Sequence, residues 1–159
     1  WISPLFADAD ETARRLRRAA CSLSDVGWRD HSTYRAQQAF QRILHLPVGG
    51  IDHAGRVALA IAVCTHYAGT GGVTADEPVL DLLQEDRRQQ WVAVGLALRL
   101  AYALSGGVAE LLRLSSLSMS KSKIVLQIDL NGRALVGETV ARRLEALGRA
   151  LGRDAEIKQ

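Results

Sequence analysis

The segment from Glu85 to Ser105 constrains the fold more than any other part of the sequence. Its apolar residues face every side of a helix instead of one stripe: Trp91, Val92, Val94, Leu96, Leu98, Leu100, Tyr102 and Leu104. A helix that is apolar all round lies at the centre of a bundle. Within this apolar part the single charged residue is Arg99. We expect its guanidinium either to pair with a carboxylate, which we favour, or to face a wet groove.

Three further helices are predicted before this segment. Asp10 and Glu11 begin the first, whose apolar stripe is Ala13, Leu16, Ala20 and Leu23. The second spans about 33–46 and buries Ala36, Phe40, Ile43 and Leu44. Asp52 begins the third, about 53–68, which is apolar on most faces and therefore largely buried. The stretch from Gly69 to Pro78 is predicted to be a loop because it holds three glycines.

The hydrophobic period changes after Gly107. Apolar and polar residues alternate in Lys123–Leu130, and Leu117 and Met119 alternate with serines, which predicts a hairpin that turns near 120–122. Val136, Val140, Leu144, Leu147 and Leu151 then predict a final helix, about 134–151, packed on the hairpin. The expected fold is mainly α, a helical bundle of residues 1–106 followed by a small α/β tail of 107–159.

Composition excludes several classes of protein. Twenty Lys and Arg against 17 Asp and Glu leave a net charge of +3, too weak to indicate a nucleic-acid binder. The arginines at 14, 15, 17 and 18 are interpreted as a solvated helix face because no aromatic residue lies among them. A hydrophobic fraction of 48% excludes disorder, and no apolar run reaches the ~18 residues of a membrane span.

Cysteine usage and the N-terminus add two expectations. Cys21 and Cys64 lack CxxC spacing, which indicates two small buried thiols in a reducing cytoplasm. The chain begins with Trp1 and holds one Met, so we expect a piece of a longer protein or a processed form.

The turn after the first helix carries the most suggestive polar residues. Arg29 and Arg35 flank His31, and two guanidinium forks with an imidazole are suited to bind phosphate. The acid, glycine and histidine of this turn also resemble the core of the HD phosphohydrolases, in which a His-Asp pair holds a divalent metal. Here Ser24 precedes Asp25 where that pair needs a histidine, so we expect no metal site. Signatures such as GxxxxGK[ST] and GxSxG are absent.

Four segments together carry a family resemblance: CSLSDVGWRDHSTYRAQQAF, GIDHAGRVALAIAVCTHYAG, RRQQWVAVGLALRLAYALSGG and ALVGETVARRLEALGRALG. The chain resembles, from about Trp1 to Ile157, the C-terminal part of the exopolyphosphatase and guanosine pentaphosphate phosphatase family, and most closely its α-proteobacterial type. The resemblance implies an HD-like helical domain with degenerate metal ligands. It also implies a parent enzyme whose N-terminal, actin-like catalytic domains, with their Mg²⁺ site, lie outside this sequence.

The resemblance implies that this segment is an accessory domain of a larger enzyme. The parent enzyme would release terminal phosphate from inorganic polyphosphate, and this segment, not catalytic itself, would bind polyphosphate and support a homodimer in the cytoplasm. The residues expected to contact the polyanion are Arg29, His31 and Arg35, with Arg56 as a weaker fourth. No cofactor is expected in this segment, and neither nucleic acid nor a membrane is an expected partner. Two alternatives stay open: a metal-dependent HD-type phosphohydrolase, and a purely structural or regulatory interaction module.

Overall fold

A computed structural model describes residues 1–6, 10–72 and 78–159 of the chain. The described part is mainly helical, as the sequence predicts, and ends in a small mixed sheet. Its longer elements are α1 (Glu11–Ser22), α2 (Arg35–Leu44), α3 (His53–Ala68), α4 (Glu85–Ser105), α5 (Ala109–Leu112), β1 (Ser115–Met119), β2 (Lys123–Ile128), α6 (Glu138–Ala150) and β3 (Asp154–Lys158). Short 3-10 helices lie at Ser3–Leu5, Gly69–Gly71, Pro78–Leu82 and Leu130–Leu135. The predicted loop at 69–78 falls partly on residues 73–77, which lie outside the described residues.

The chain divides into two compact units. One is Asp8–Leu96, and the other combines Trp1–Ala7 with Ala97–Gln159. The boundary falls within α4. The two units describe which residues pack together and do not test the predicted domains 1–106 and 107–159. That division stays a prediction.

In the unit Asp8–Leu96, helix α3 lies against both α1 and α2. Asp52 caps α3 by accepting a hydrogen bond from the backbone amide of Gly55 at 2.7 Å, and Asp10 caps α1 in the same way through Thr12. Gly95 of α4 lies so close to α3 that a Cβ there would come within 2.6 Å of Thr65 Cβ. The bounds of α3 and α4 are those predicted from the apolar pattern.

Two residues of α1 differ from their sequence interpretation. Arg17 is buried, not part of a solvated face, because its long alkyl stem can line an apolar interior. Cys21, expected to be buried, is exposed near the end of the helix, whereas Cys64 is buried as predicted.

The sheet belongs to the second unit. β1 pairs with β2 as the predicted antiparallel hairpin, with Ser115 opposite Ile128 and Met119 opposite Ile124. Helix α6 packs on β2 and β3 and buries Val140, Leu144 and Leu147. It begins at Glu138, four residues later than predicted, because 130–135 form a 3-10 helix instead.

Strand β3 was not predicted. It lies parallel to β2, with Ile124 opposite Ala155 and Leu126 opposite Ile157. The crossover through α6 brings the two strands together, which a local alternation pattern does not reveal because parallel pairing joins residues distant in the sequence.

Candidate functional site

The turn between α1 and α2 is built from consecutive backbone hydrogen bonds. The amides of Trp28 and Asp30 donate to the carbonyls of Asp25 and Gly27, each at 3.0 Å. Gly27 is buried, and a Cβ there would lie 3.1 Å from Arg35 Cγ. The backbone amide of Gly27 donates to the Tyr67 hydroxyl at 3.0 Å. The turn is therefore tightly packed against α2 and α3, which fixes the place of its polar side chains.

Arg35 orders this turn from the start of α2. Its Nε and Nη2 donate to the carbonyl of Asp30 at 3.2 and 3.0 Å, and Nη2 also donates to the carbonyl of Trp28 at 3.2 Å. The guanidinium carbon lies 5.7 Å from the centre of the Tyr67 ring, a cation–π distance. Three hydrogen bonds to carbonyl oxygens occupy much of the donor set of Arg35. Its main role in this structure is to position the turn.

Arg29 and His31 are the two predicted site residues of the turn whose side chains are exposed. The Arg29 guanidinium lies 5.5 Å from the centre of the Trp28 ring and makes no hydrogen bond within the described part of the chain. The Nδ1 atom of His31 accepts a hydrogen bond from the Thr33 amide at 3.3 Å. Since a ring nitrogen that accepts is unprotonated, Nε2 is the nitrogen of His31 left to donate to a ligand.

Ser24 and Asp25, the two residues in the degenerate HD position, lie in different surroundings. The Ser24 hydroxyl donates to the carbonyl of Cys21 at 2.8 Å, so it is used within the turn. Asp25 is exposed. Residues 1–6, 10–72 and 78–159 contain no group of three or more His, Cys, Asp or Glu that could hold a metal ion.

Arg56 lies in a different place, in a cavity of about 340 Å³ at the other end of α2. The cavity also holds two histidines and no carboxylate among its described lining residues, which are Gln41, Leu44, His45, His53, Arg56, Val57, Pro78, Val79 and Leu82. Arg56 Nη2 donates to the carbonyl of Val48 at 3.1 Å, while its Nε is buried without a hydrogen-bond partner. The remaining terminal nitrogen, Nη1, makes no hydrogen bond within the described residues and is the donor of Arg56 that stays available to a ligand.

His45 presents a defined tautomer at this cavity. Its Nδ1 lies 2.8 Å from the carbonyl of Gln41, and a carbonyl can only accept, so Nδ1 carries the proton. The Nε2 atom accepts in the neutral ring and donates in the imidazolium. A protonated His45 therefore adds a donor and a positive charge to the same cavity as Arg56.

The structure brings together some of the predicted site residues and not others. Arg29, His31 and Arg35 share one turn, whereas Arg56 lies beyond the opposite end of α2. This helix has 10 residues, and its ends are therefore about 15 Å apart. The two groups of predicted site residues therefore lie at opposite ends of one helix.

Sequence reasoning missed His45 and His53 as members of the Arg56 cavity. Both lie at helix ends, where an exposed histidine is ordinary, and the Pro47–Gly50 turn separates them. The spacing His53 to Arg56 on a predicted helix was a usable signal, because residues three apart share a face. That His45 lines the same cavity could not be predicted from the sequence, because it depends on the conformation of the turn between α2 and α3.

Comparison with known proteins places the chain in a family. No helix in the described residues is long and apolar enough to cross a membrane. None of the curated proteins searched matches the chain. A family model described as "Exopolyphosphatase, C-terminal" matches residues 5–158. The chain belongs to the family of exopolyphosphatase C-terminal domains.

Proposed function

We propose that this domain binds inorganic polyphosphate for an exopolyphosphatase and is not itself the catalytic part. The observation that carries the proposal is the cavity around Arg56, whose charged and titratable lining consists of one arginine and two histidines without a carboxylate among the described residues. A polyanion is the ligand that such a lining favours, because guanidinium groups bind phosphoryl oxygens as paired donors.

Arg56 is the central donor in this proposal. Its Nη2 donates to the Val48 carbonyl and its Nε is buried, while its Nη1 makes no hydrogen bond within the described residues and is left to donate to a ligand. His45 Nε2 and the exposed His53 lie at the same cavity and add donors when protonated. Together they can bind the oxygens of one or two phosphate units.

The turn at the other end of α2 supplies a second contact. Arg29 and His31 are exposed and have unused donors, while Arg35 positions them through its bonds to the turn carbonyls. A polyphosphate chain carries a charge on every unit, so it can engage both ends of the helix. Two separated contacts raise the overall affinity because the second binding event is intramolecular.

The reaction proposed for the parent enzyme is the one that membership of the exopolyphosphatase family implies. An activated water would attack the terminal phosphorus of polyphosphate and release phosphate, in the N-terminal catalytic domains where Mg²⁺ would offset the charge of the transferring group. This domain would retain the remaining chain. An assay of the parent enzyme on long polyphosphate, with and without this domain, tests that division. We expect release of phosphate from long chains to fall in the truncated enzyme while very short substrates are still cleaved.

Binding by this domain is tested with charge-neutralising variants. We expect Arg56→Gln and Arg29→Gln each to weaken polyphosphate binding and to reduce the slope of log affinity against log salt by about 0.7, by analogy with single-stranded nucleic acids. The matched control is Arg14→Gln, since Arg14 is exposed and pairs with Glu11 at 2.7 Å. An unchanged slope in both site variants, or an equal loss in the control, would refute the assignment.

Dimerisation is the second role proposed, and a pair of exposed aromatic rings favours it. Trp28 is 61% exposed and Tyr34 is 62% exposed, and both lie on the turn between α1 and α2. Aromatic residues and arginine dominate the energetics of many protein interfaces. Sedimentation of the wild type and of Trp28→Ala tests this role. We expect the variant to shift toward monomer, and a monomeric wild type would contradict it.

A further inference from the structure

The small sheet has two outer strands, β1 and β3, whose outer sides differ. At β1, Nε1 of Trp1 donates to the backbone carbonyl of Ser115 at 3.2 Å and to its hydroxyl at 3.0 Å. β3 pairs with β2 on one side, and no strand of the described residues pairs with its other side. An edge strand of this kind offers unpaired backbone groups to another chain.

The pairing with β2 decides which backbone groups of β3 face outward. The amide of Asp154 donates to the carbonyl of Ser122 at 2.9 Å, and Asp154 lies opposite Lys123 in the parallel register. In a parallel pair the N–H and C=O groups of one residue bond to the same neighbouring strand, and those of the next residue point away from it. Every second residue of β3, counted from Asp154, therefore bonds to β2.

Ala155 and Ile157 are the residues of β3 whose backbone groups point away from β2. They alternate with Asp154, Glu156 and Lys158, which bond to β2. Across residues 1–6, 10–72 and 78–159, no group bonds to the backbone N–H or C=O of Ala155 or Ile157. Both donors and both acceptors are therefore available to a further strand. The side chain of Ile157 is apolar and only half-buried, so such a strand would also cover apolar surface.

The backbone of a second copy of β3 fits this edge. Two antiparallel copies with Glu156 opposite Glu156 pair all five residues of the strand and place Ala155 of one copy opposite Ile157 of the other. Opposed residues of an antiparallel pair exchange both of their hydrogen bonds at alternate positions. In this register those positions are Ala155 and Ile157, so every outward N–H and C=O group of both copies is bonded.

The charges of β3 fit the same register. Asp154 and Lys158 are exposed at its two ends, so each carboxylate lies opposite the ammonium group of the other copy. Glu156 meets its own equivalent, but its charge is balanced within each copy. Its Oε2 lies 3.1 Å from Lys123 Nζ and its Oε1 lies 3.8 Å from Lys158 Nζ. The strand is therefore complementary to itself in charge as well as in hydrogen bonding.

We propose that the outer edge of β3 binds the β3 strand of a second copy of this chain, antiparallel and with Glu156 opposite Glu156. The two sheets then form one continuous sheet about a twofold axis, which is an isologous contact made by strand addition. This contact goes beyond the proposed function because it uses a strand of the other compact unit and does not involve the Trp28 surface.

The first test follows backbone amides in the Trp28→Ala protein, so that association through the exposed aromatic rings does not contribute. Hydrogen exchange is measured by NMR in a dilute and a concentrated sample. We expect exchange at the amides of Ala155 and Ile157 to slow about tenfold in the concentrated sample. The Glu156 amide, which bonds to β2, is the internal control and should exchange equally slowly in both. Exchange at Ala155 and Ile157 that does not depend on concentration would overturn the proposal.

The second test changes the charges that the register places opposite each other, again in the Trp28→Ala protein. Asp154→Lys and Lys158→Glu each place like charges together, and we expect each to weaken self-association in sedimentation about tenfold. A mixture of the two variants restores opposite charges at both ends of the strand, so the mixed pair should associate as tightly as the unmodified strand. Lys121→Glu, an exposed lysine outside β3, is the matched control and should leave association unchanged.

The outcomes separate this contact from the proposed function. Recovery of association in the mixture supports strand pairing in the stated register, whereas equal association of the mixture and the single variants would refute that register. If the wild type is dimeric and the Trp28→Ala protein is monomeric at every concentration, the β3 contact fails and the proposed dimer stands. If Trp28→Ala changes nothing and the charge variants dissociate the protein, the Trp28 surface fails and the β3 contact stands.

Discussion

Arg42 binds the Asp30 carboxylate with both of its terminal nitrogens. Nη1 lies 2.7 Å from Oδ2 and Nη2 lies 2.8 Å from Oδ1, and Nη1 also donates to the carbonyl of Val26 at 2.9 Å. Paired hydrogen bonds of this kind are shorter and more directional than single ones. They connect the turn that carries Arg29 and His31 to the third turn of α2.

Disruption of this pair should destabilise the protein measurably. We expect Asp30→Asn and Arg42→Gln each to lower the free energy of unfolding by about 1 kcal/mol, with strong coupling in the double variant. Urea denaturation measures both effects. Glu11→Gln is the control, because its pair with Arg14 is highly exposed and should contribute about 0.3–0.5 kcal/mol. Additive effects of Asp30→Asn and Arg42→Gln would show that the two side chains act separately.

Gly95 is required for the close approach of α4 to α3. In an ordinary helix Gly→Ala stabilises by about 1 kcal/mol, but here the new Cβ would meet the carbonyl of Ala62 and the side chain of Thr65. We expect Gly95→Ala to lower the free energy of unfolding by about 1–3 kcal/mol through overpacking. Gly49→Ala, with no atom within 4 Å of the new Cβ, should change it by less than about 0.5 kcal/mol. A higher free energy of unfolding for Gly95→Ala than for wild type would contradict the close contact between α4 and α3.

Tyr67 supports the turn through its hydroxyl. Tyr67→Phe removes the acceptor for the Gly27 amide, and we expect a loss of about 1 kcal/mol in the free energy of unfolding at neutral pH. Tyr34→Phe, at an exposed ring, should have little effect. Equal losses in the two variants would show that the Gly27 bond is not the cause.

The same tyrosine predicts a pH dependence. Burial raises the pKa of Tyr67 in the folded protein, chiefly by desolvation of the phenolate. The folded state therefore holds this proton more tightly than the unfolded chain, where the pKa is about 10. The raised pKa therefore adds to the free energy of unfolding in full below about pH 10. This added stability is lost as the pH rises through the pKa that Tyr67 has in the folded protein. Urea denaturation from neutral to alkaline pH should show a shallower decline for Tyr67→Phe than for wild type.

The two thiols should differ in reactivity. Burial raises the pKa of Cys64 to about 11, and its Sγ lies 2.9 Å from the carbonyl of Gly72. Cys21 is exposed, and partial desolvation raises the pKa of its thiol as well, so access to the reagent is what separates the two thiols. A thiol reagent at alkaline pH should modify Cys21 in the native protein and reach Cys64 only after unfolding. Rapid modification of Cys64 in the native Cys21→Ser protein would contradict its burial.

The local pattern of the sequence determined the helices and the hairpin. Asp52 followed by a continuous apolar run defined α3, and the apolar segment ending at Gly106 defined α4, since capping and periodicity act over a few residues. Alternation in Lys123–Leu130 defined the hairpin for the same reason. The segments quoted in the sequence analysis also indicated the exopolyphosphatase family, which the family match confirmed.

Only the tertiary structure decided which distant parts of the chain the charged side chains approach. Arg56 joins His45 across the turn after α2, and Arg143 reaches the backbone of Arg99 from 44 residues away. β3 likewise becomes a strand because β2 offers a free edge. These relationships depend on how helices and strands pack against one another. The spacing of residues along a single helix or strand does not show which other element it will pack against. The sequence by itself therefore specified the helices, the hairpin and the family, and the packing of those elements specified which polar groups lie together.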